Sequence, residues 1–144
     1  MENQETKKES ISPDKYREIL NGLNLESIYL STSKSAVDKK NIAADLRISI
    51  HDEASFEKKD NKIVEISHKY KLEATNTKLK KRTLNIECVF CLIYSFEEDF
   101  TTDFFEVFKE INLALNTWPF FREFVFNITS RMNVPPLTLP LLRR

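Results

Sequence analysis

Residues 84–96 read LNIECVFCLIYSF. Leu84, Ile86, Cys88, Phe90, Leu92, Tyr94 and Phe96 fall on every second position, the period of a β-strand whose side chains alternate between the two faces of a sheet. The intervening positions change character along the segment: Asn85 and Glu87 are polar, whereas Val89, Cys91 and Ile93 are apolar. The far half of the strand is therefore apolar on both faces and is expected to be covered on both. A small sheet with helices on one side supplies one cover only, so the second is expected from another copy of the chain.

Upstream, Val64, Ile66, His68, Tyr70, Leu72 and Ala74 alternate with Glu65, Ser67, Lys69, Lys71 and Glu73, which predicts a strand with one wet face. The basic run Lys78-Leu79-Lys80-Lys81-Arg82 then reads as the loop joining these two strands. Leu46, Ile48 and Ile50 alternate with Arg47, Ser49 and His51 in a further strand, and Leu25, Ile28, Tyr29 and Leu30 mark the first. Between these two, the Ser/Thr/Lys-rich stretch Ser31–Asn41 reads as a loop. Ser12-Pro13-Asp14 has the residues of a helix start and Asn21-Gly22 those of its end, giving a short N-terminal helix.

Downstream of Glu97-Glu98-Asp99 the period lengthens. Phe104, Phe108, Ile111 and Leu115 form one helical stripe, and Asp103 with Glu106 resembles a capping box, so a helix is expected from about Asp103. Thr117-Trp118-Pro119 is expected to interrupt it, with a second helix from Pro119 to Met132 carrying Phe121, Phe124, Val125, Ile128 and Met132 on its apolar side. Pro135-Pro136 ends that helix and leaves an extended tail. Phe120 and Phe126 lie off the stripe, so part of this aromatic surface is expected to face a groove or a partner. The sequence thus reads as one α+β domain over residues 1–144. Residues 1–11 are expected to be flexible, 12–22 helical, 23–97 a sheet, 103–132 two helices and 133–144 extended.

Composition narrows the function. Twenty-two Lys and Arg balance 22 Asp and Glu, so no overall field draws the molecule to nucleic acid or an anionic membrane. A single glycine, Gly22, excludes the glycine-rich loops that cradle phosphates. The first ten residues carry no apolar signal segment, and the run Cys88–Tyr94 is far shorter than the ~20 residues of a membrane helix. A cytoplasmic location with reduced cysteines is expected.

The sharper chemical motifs have plain structural readings. Cys88 and Cys91 form a C-x-x-C, but residues i and i+3 of a strand point to opposite faces, so buried structural cysteines are expected rather than a metal site. His68 shares a face with Ile66 and Tyr70, and nothing in its spacing orients it as a base. The basic run lacks interleaved aromatics and reads as a solvated loop, not a nucleic-acid patch. An Arg122-Glu123 pair early in a helix reads as structural, serving the solvated face and the helix dipole. No catalytic residue and no cofactor is expected.

Trp118-Pro119-Phe120-Phe121-Arg122-Glu123-Phe124, followed by Arg131-Met132 and Pro135-Pro136-Leu137-Thr138-Leu139-Pro140, resembles the C-terminal signature of SecB-like chaperones. Leu25–Leu30, with its Ile28-Tyr29 pair, is similar to the first strand of that family. The resemblance implies a four-stranded antiparallel sheet on two C-terminal helices, assembled as a dimer of dimers. It further implies an ATP-independent holdase for unfolded or nascent polypeptides, with long apolar grooves and either the translocase motor SecA or an antitoxin as partner. On this reading Trp118, Phe120, Phe121, Phe124 and Ile128 are candidates for client contact. Phe104, Phe108, Ile111, Val89, Cys91 and Ile93 are candidates for the oligomer interface. Export chaperones carry acidic residues after the Ile-Tyr pair, where they dock SecA. This chain has Leu30-Ser31-Thr32-Ser33-Lys34-Ser35 there, without a carboxylate, and the SecB-like chaperones of toxin–antitoxin systems resemble it at least as well. The family pattern also implies a structural role for Arg122-Glu123 at the junction between the helices.

Overall fold

The computed structural model describes residues 11–42, 45–135 and 138–140. Residues 1–10, expected to be flexible, lie outside the described part, as do Pro136, Leu137 and 141–144 of the expected tail. In chain order the elements are α1 (Pro13–Asn21), β1 (Leu23–Val37), β2 (Leu46–Lys59), β3 (Ile63–Asn76), β4 (Lys81–Phe96), α2 (Thr102–Phe108) and α3 (Asn112–Arg131). The strands form one antiparallel sheet in the order β1-β4-β3-β2. The fold class is the one the sequence predicts.

The two strands with the clearest alternation lie at the centre. β3 alternates strictly between buried and half-buried positions, and the inner face of β4 (Leu84, Ile86, Cys88, Phe90, Leu92, Tyr94) joins it to floor the core. The helices cover that face. α1 is opened by Ser12, whose hydroxyl accepts from the Lys15 N–H at 3.2 Å, with Pro13 in the first turn. It closes at Gly22, where a Cβ would lie 3.1 Å from the Cβ of Glu97, and the Gly22 carbonyl accepts from the Glu97 N–H. The single glycine thus serves a close approach between the start of β1 and the end of β4.

Three expectations need correction. The stretch Ser31–Asn41 is not a loop over its whole length: β1 continues to Val37, pairing Thr32 with Val89 and Val37 with Leu84. Its register shifts at Leu25/Ser27 and again at Leu30/Thr32. Each bulge flips the side-chain alternation, and an edge strand exposed on both faces needs no apolar residues, so the period-two signal is lost. Second, the helical layer does not break at Trp118-Pro119. It breaks after Phe108, where the Glu110 and Ile111 N–H groups bond back three residues to Val107 and Phe108, and α3 then runs through Pro119. Proline in a helix interior removes one backbone bond. Here the flanking residues hold the helix against that loss: Phe121 is fully buried, and the Thr117 hydroxyl is hydrogen-bonded to His68 and Tyr70 of the sheet. Third, α2 is capped by Thr101, whose hydroxyl accepts from the Phe104 N–H, rather than by Asp103.

Beneath α1 and α2 lies an aromatic knot. Tyr16 stacks on Phe104 at 4.8 Å, Phe104 on Phe108 at 5.4 Å, and Phe56 meets Phe105 at 4.6 Å and Phe100 at 5.1 Å. Phe100 and Phe104 are wholly buried and Phe108 is 1% exposed. Both phenylalanines proposed for an oligomer interface are therefore enclosed by the protomer's own core, while Ile111 of the same predicted stripe is 43% exposed.

The β1–β2 connection crosses the ends of β4 and β3 and is pinned at several points. The Asp38 N–H donates to Thr83, its carboxylate accepts from Lys40 N–H and Asn41 Nδ2, and the Asn76 amide donates to the Asn41 carbonyl at 2.8 Å. The Asn41 hydrogen bond leads in holding the Asp38 carboxyl below its ordinary range. Lys39 Nζ donates to the Asn133 carbonyl at 2.6 Å, placing a cation at the negative end of α3.

Candidate functional site

Buried Leu113, Thr117, Phe121, Val125 and Thr129 recur every fourth residue and turn one stripe of α3 onto the sheet. Phe121 stacks on Tyr70 of β3 at 4.6 Å and 8°. Two flanks remain, and they differ.

One flank faces β4 and β1. Phe120 is 49% exposed and its ring lies 6.3 Å from that of Phe90, the inner-face residue paired with Leu30 of β1. Phe124, one turn further along, is half-buried on the same flank. Leu30 and Leu25 on β1 are 41% and 44% exposed. Aromatic and aliphatic surface from a helix and an edge strand therefore meets water side by side.

The opposite flank faces β3 and carries the chain's own tail. Trp118, 5.9 Å from Tyr70, donates its indole N–H to the Pro140 carbonyl at 2.8 Å, and Arg122 Nε donates to the Leu139 carbonyl at 2.6 Å. Leu139 is 5% exposed within the core. Arg122 thus holds the tail, not the junction between the helices as its sequence context suggests. Phe126, 49% exposed, lines a shallow hollow of roughly 280 Å³ with Pro119, Arg122, Glu123 and Thr138.

A polar chain runs through the middle. His68 is fully buried; its Nε2 lies 2.8 Å from the Asp52 carboxylate and its Nδ1 2.8 Å from the Thr117 hydroxyl, which also lies 2.7 Å from the Tyr70 hydroxyl. Burial outweighs Asp52 and pushes the His68 pKa below 6.5, so the ring is neutral at pH 7. One proton arrangement satisfies all of these contacts: Tyr70 donates to Thr117, Thr117 to Nδ1, and Nε2–H to Asp52. The chain joins the edge strand β2 to α3 through β3, and its Asp52 end is open to water. The Thr117 hydroxyl at its inner end is fully buried, and the chain ties the helix to the sheet.

The other sequence candidates distribute as follows. Trp118, Phe124 and Ile128 are half-buried and Phe121 fully buried, so of the five client candidates Phe120 is the most exposed. Val89 and Ile93 are half-buried on the outer face of the sheet. Cys91, 3% exposed, is covered within one chain, its thiol 3.4 Å from Glu65 and beside Tyr29. Cys88 lies on the inner face, opposite to Cys91, and burial pushes its thiol up to about 12. The two sulfurs therefore cannot meet across the sheet. Among the described residues no group of three or more His, Cys, Asp or Glu is placed to hold a metal ion, and no helix is long and apolar enough to cross a membrane.

No protein-family model and no curated protein sequence matches this chain. Solved structures do. The Mycobacterium tuberculosis SecB-like chaperone Rv1957, solved in complex with a ChAD peptide from the Rv1956 HigA1 antitoxin, superposes with a TM-score of 0.75. The match covers 89% of this chain and 96% of that one at 17% identity. The chain has the SecB-like fold. A protein of unknown function from Streptococcus agalactiae superposes with a TM-score of 0.43 and 13% identity, over 83% of this chain and 97% of that one. Within the SecB-like fold, aromatic density in the sequence points to Phe120 and Phe124, which stand on the open flank of α3. It missed the contribution of Leu30, which requires knowing that β1 lies beside β4, and the seat of Leu139, which requires knowing that the chain reverses.

Proposed function

We propose that the protein is an ATP-independent chaperone of the SecB-like kind, holding unfolded polypeptide segments against the open flank of α3. The observation that carries this reading is the half-exposed Phe120, set over Phe90 beside Leu30 on a SecB-like fold. Burying apolar area is non-directional and contributes roughly 25 cal/mol per Å², so such a flank accepts many extended apolar sequences. Its client candidates are Phe120, Phe124 and Ile128, with Trp118 on the other flank. Phe121 positions the helix from within the core. The reading requires no catalytic group and no nucleotide. It places the protein in the cytoplasm, as a homo-oligomer in which Ile111 and the outer-face Val89 and Ile93 are the interface candidates.

A second reading is favoured by two specific observations. The structural neighbour was solved with an antitoxin peptide. Leu30–Ser35 of β1 contains no carboxylate to dock SecA. On this reading the chain is a dedicated chaperone for one partner such as an antitoxin.

Light scattering from a chemically unfolded test protein, diluted with and without the chain in the absence of ATP, tests the first reading. Suppression at near-stoichiometric ratio, lost in a folded Phe120→Ser, Phe124→Ser variant, is the expected result. A folded chain that does not suppress scattering rejects general holdase activity and leaves the dedicated reading.

A further inference from the structure

The polypeptide reverses at the end of α3. Asn133 sits in the left-handed region at φ 54°, the Asn133 N–H bonds the Ser130 carbonyl at 3.1 Å, and the Val134 N–H bonds the Thr129 carbonyl at 3.4 Å. This is a Schellman closure, with asparagine where glycine is commonest. Beyond this turn, residues 138–140 lie back against Trp118 and Arg122, near the start of the same helix.

The clasp has an unusual selectivity. Arg122 and Trp118 donate to the backbone carbonyls of two successive residues, Leu139 and Pro140, and one side chain, Leu139, enters the core. A backbone carbonyl is present in every residue of every polypeptide. Pro135 and Pro140 bring no N–H, so they ask nothing of a helix flank that offers no backbone acceptor. The requirements amount to an extended conformation, an aliphatic side chain at one position, and a neighbour without a donor to satisfy.

Resting on the chaperone reading, we propose that this flank of α3 is a second seat for bound polypeptide. The chain's own residues 138–140 fill it when no client is present, and an extended client segment with an aliphatic residue next to a proline displaces them. The tethered tail competes at high effective concentration, so the apparent affinity for an added segment is reduced by the fraction of molecules in which the seat is free.

The probe is a fluorescein-labelled peptide of residues 134–140, VPPLTLP, followed by anisotropy against the full chain. Leu139→Ser loosens the tail and is expected to bind the peptide about tenfold more tightly than the unaltered chain. Adding Trp118→Phe and Arg122→Gln to that variant removes both donors and is expected to abolish the gain. Equal binding to the unaltered chain and to folded Leu139→Ser, binding indifferent to the two donors, or no binding overturns the proposal. Should Leu139→Ser not fold, deuterium exchange on the unaltered chain replaces it, with reduced and alkylated lysozyme as client. Faster exchange at Thr138 and Leu139 on client addition is expected, and unchanged or slower exchange overturns displacement. Dimerisation of the unaltered chain that Leu139→Ser removes would assign the seat to the tail of a second copy and overturn the client assignment. Suppressed aggregation without peptide binding sinks this inference alone, whereas peptide binding without suppression sinks general holdase activity and leaves the seat.

Discussion

The two flanks of α3 are built from similar residues and end in opposite states. On one, half-exposed Phe120 lies over Phe90, the strand partner of exposed Leu30, and half-buried Phe124 follows one turn on. On the other, Trp118 and Arg122 hold two carbonyls of the chain's own tail, and Leu139 closes the gap. The difference does not lie in hydrophobicity, since large aromatics stand on both. It lies in the presence of directional donors. Trp118 and Arg122 present N–H groups to a flank, and a flank with donors holds a backbone in one register. A flank of phenylalanines alone holds apolar surface in any register, which suits many sequences and fixes none.

Substitutions separate these roles. The largest loss is expected from Phe121→Ala, which removes the ring stacked on Tyr70 between the two flanks. About 3–5 kcal/mol should disappear from urea unfolding, and both flanks should fail together. Thr117→Val is expected to cost about 1–3 kcal/mol, because it leaves the Nδ1 of a buried His68 without its donor; the same unfolding measurement reads it. Trp118→Phe keeps a ring but loses the indole N–H, for an expected loss of about 1 kcal/mol, visible as faster amide exchange in the tail. Phe120→Ser should change stability by less than about 0.5 kcal/mol, since half the side chain is already in water, while still weakening aggregation suppression. Two substitutions of equal stability cost but opposite effect on suppression would show that the flanks are functionally distinct.

Acid offers a gentler probe of the joint between them. The His68 pKa is lowered on folding, so the unfolded chain binds more protons once pH falls below about 6.5, the ordinary value. Stability from the neutral ring is therefore complete above that pH and declines as pH falls from there toward the folded-state pKa. Thermal melts between pH 7.5 and 5 should show that decline. His68→Gln, which has no titrating ring, should flatten it, and an identical pH profile in the variant would remove His68 from the explanation.

The sheet's central strands were legible because burial on one face forces strict alternation, as in Val64 to Ala74 against Glu65 to Glu73. The α1 boundaries were legible because Ser12, Pro13 and Gly22 each serve a local backbone need. What escaped was whatever depended on a distant partner. Ser31–Val37 is a strand because β4 needs a neighbour, and on an exposed edge it carries no apolar alternation to reveal it. Pro119 continues a helix because His68 and Tyr70 hold Thr117 from the sheet. Of the candidate site, aromatic density pointed to the C-terminal helices but could not separate Phe104, Phe108 and Phe121, which are enclosed, from Phe120 and Phe126, which are not. That separation depends on which way the helix is rotated, and the rotation is set by tertiary contacts absent from any local window.

The long edge of β1 has one more consequence. A molecule that gathers unfolded chains concentrates sticky material beside itself, and an open strand edge is a place where such material could add strand upon strand. Here that edge is written Ser31-Thr32-Ser33-Lys34-Ser35, follows a register shift at Leu30/Thr32 and is exposed throughout. The adhesive surface is carried instead on a helix, whose backbone groups bond to one another and offer no ladder to extend. On the proposed function, capture falls to a helix flank that offers no strand edge to extend, and the open edge of the sheet is left to a polar strand.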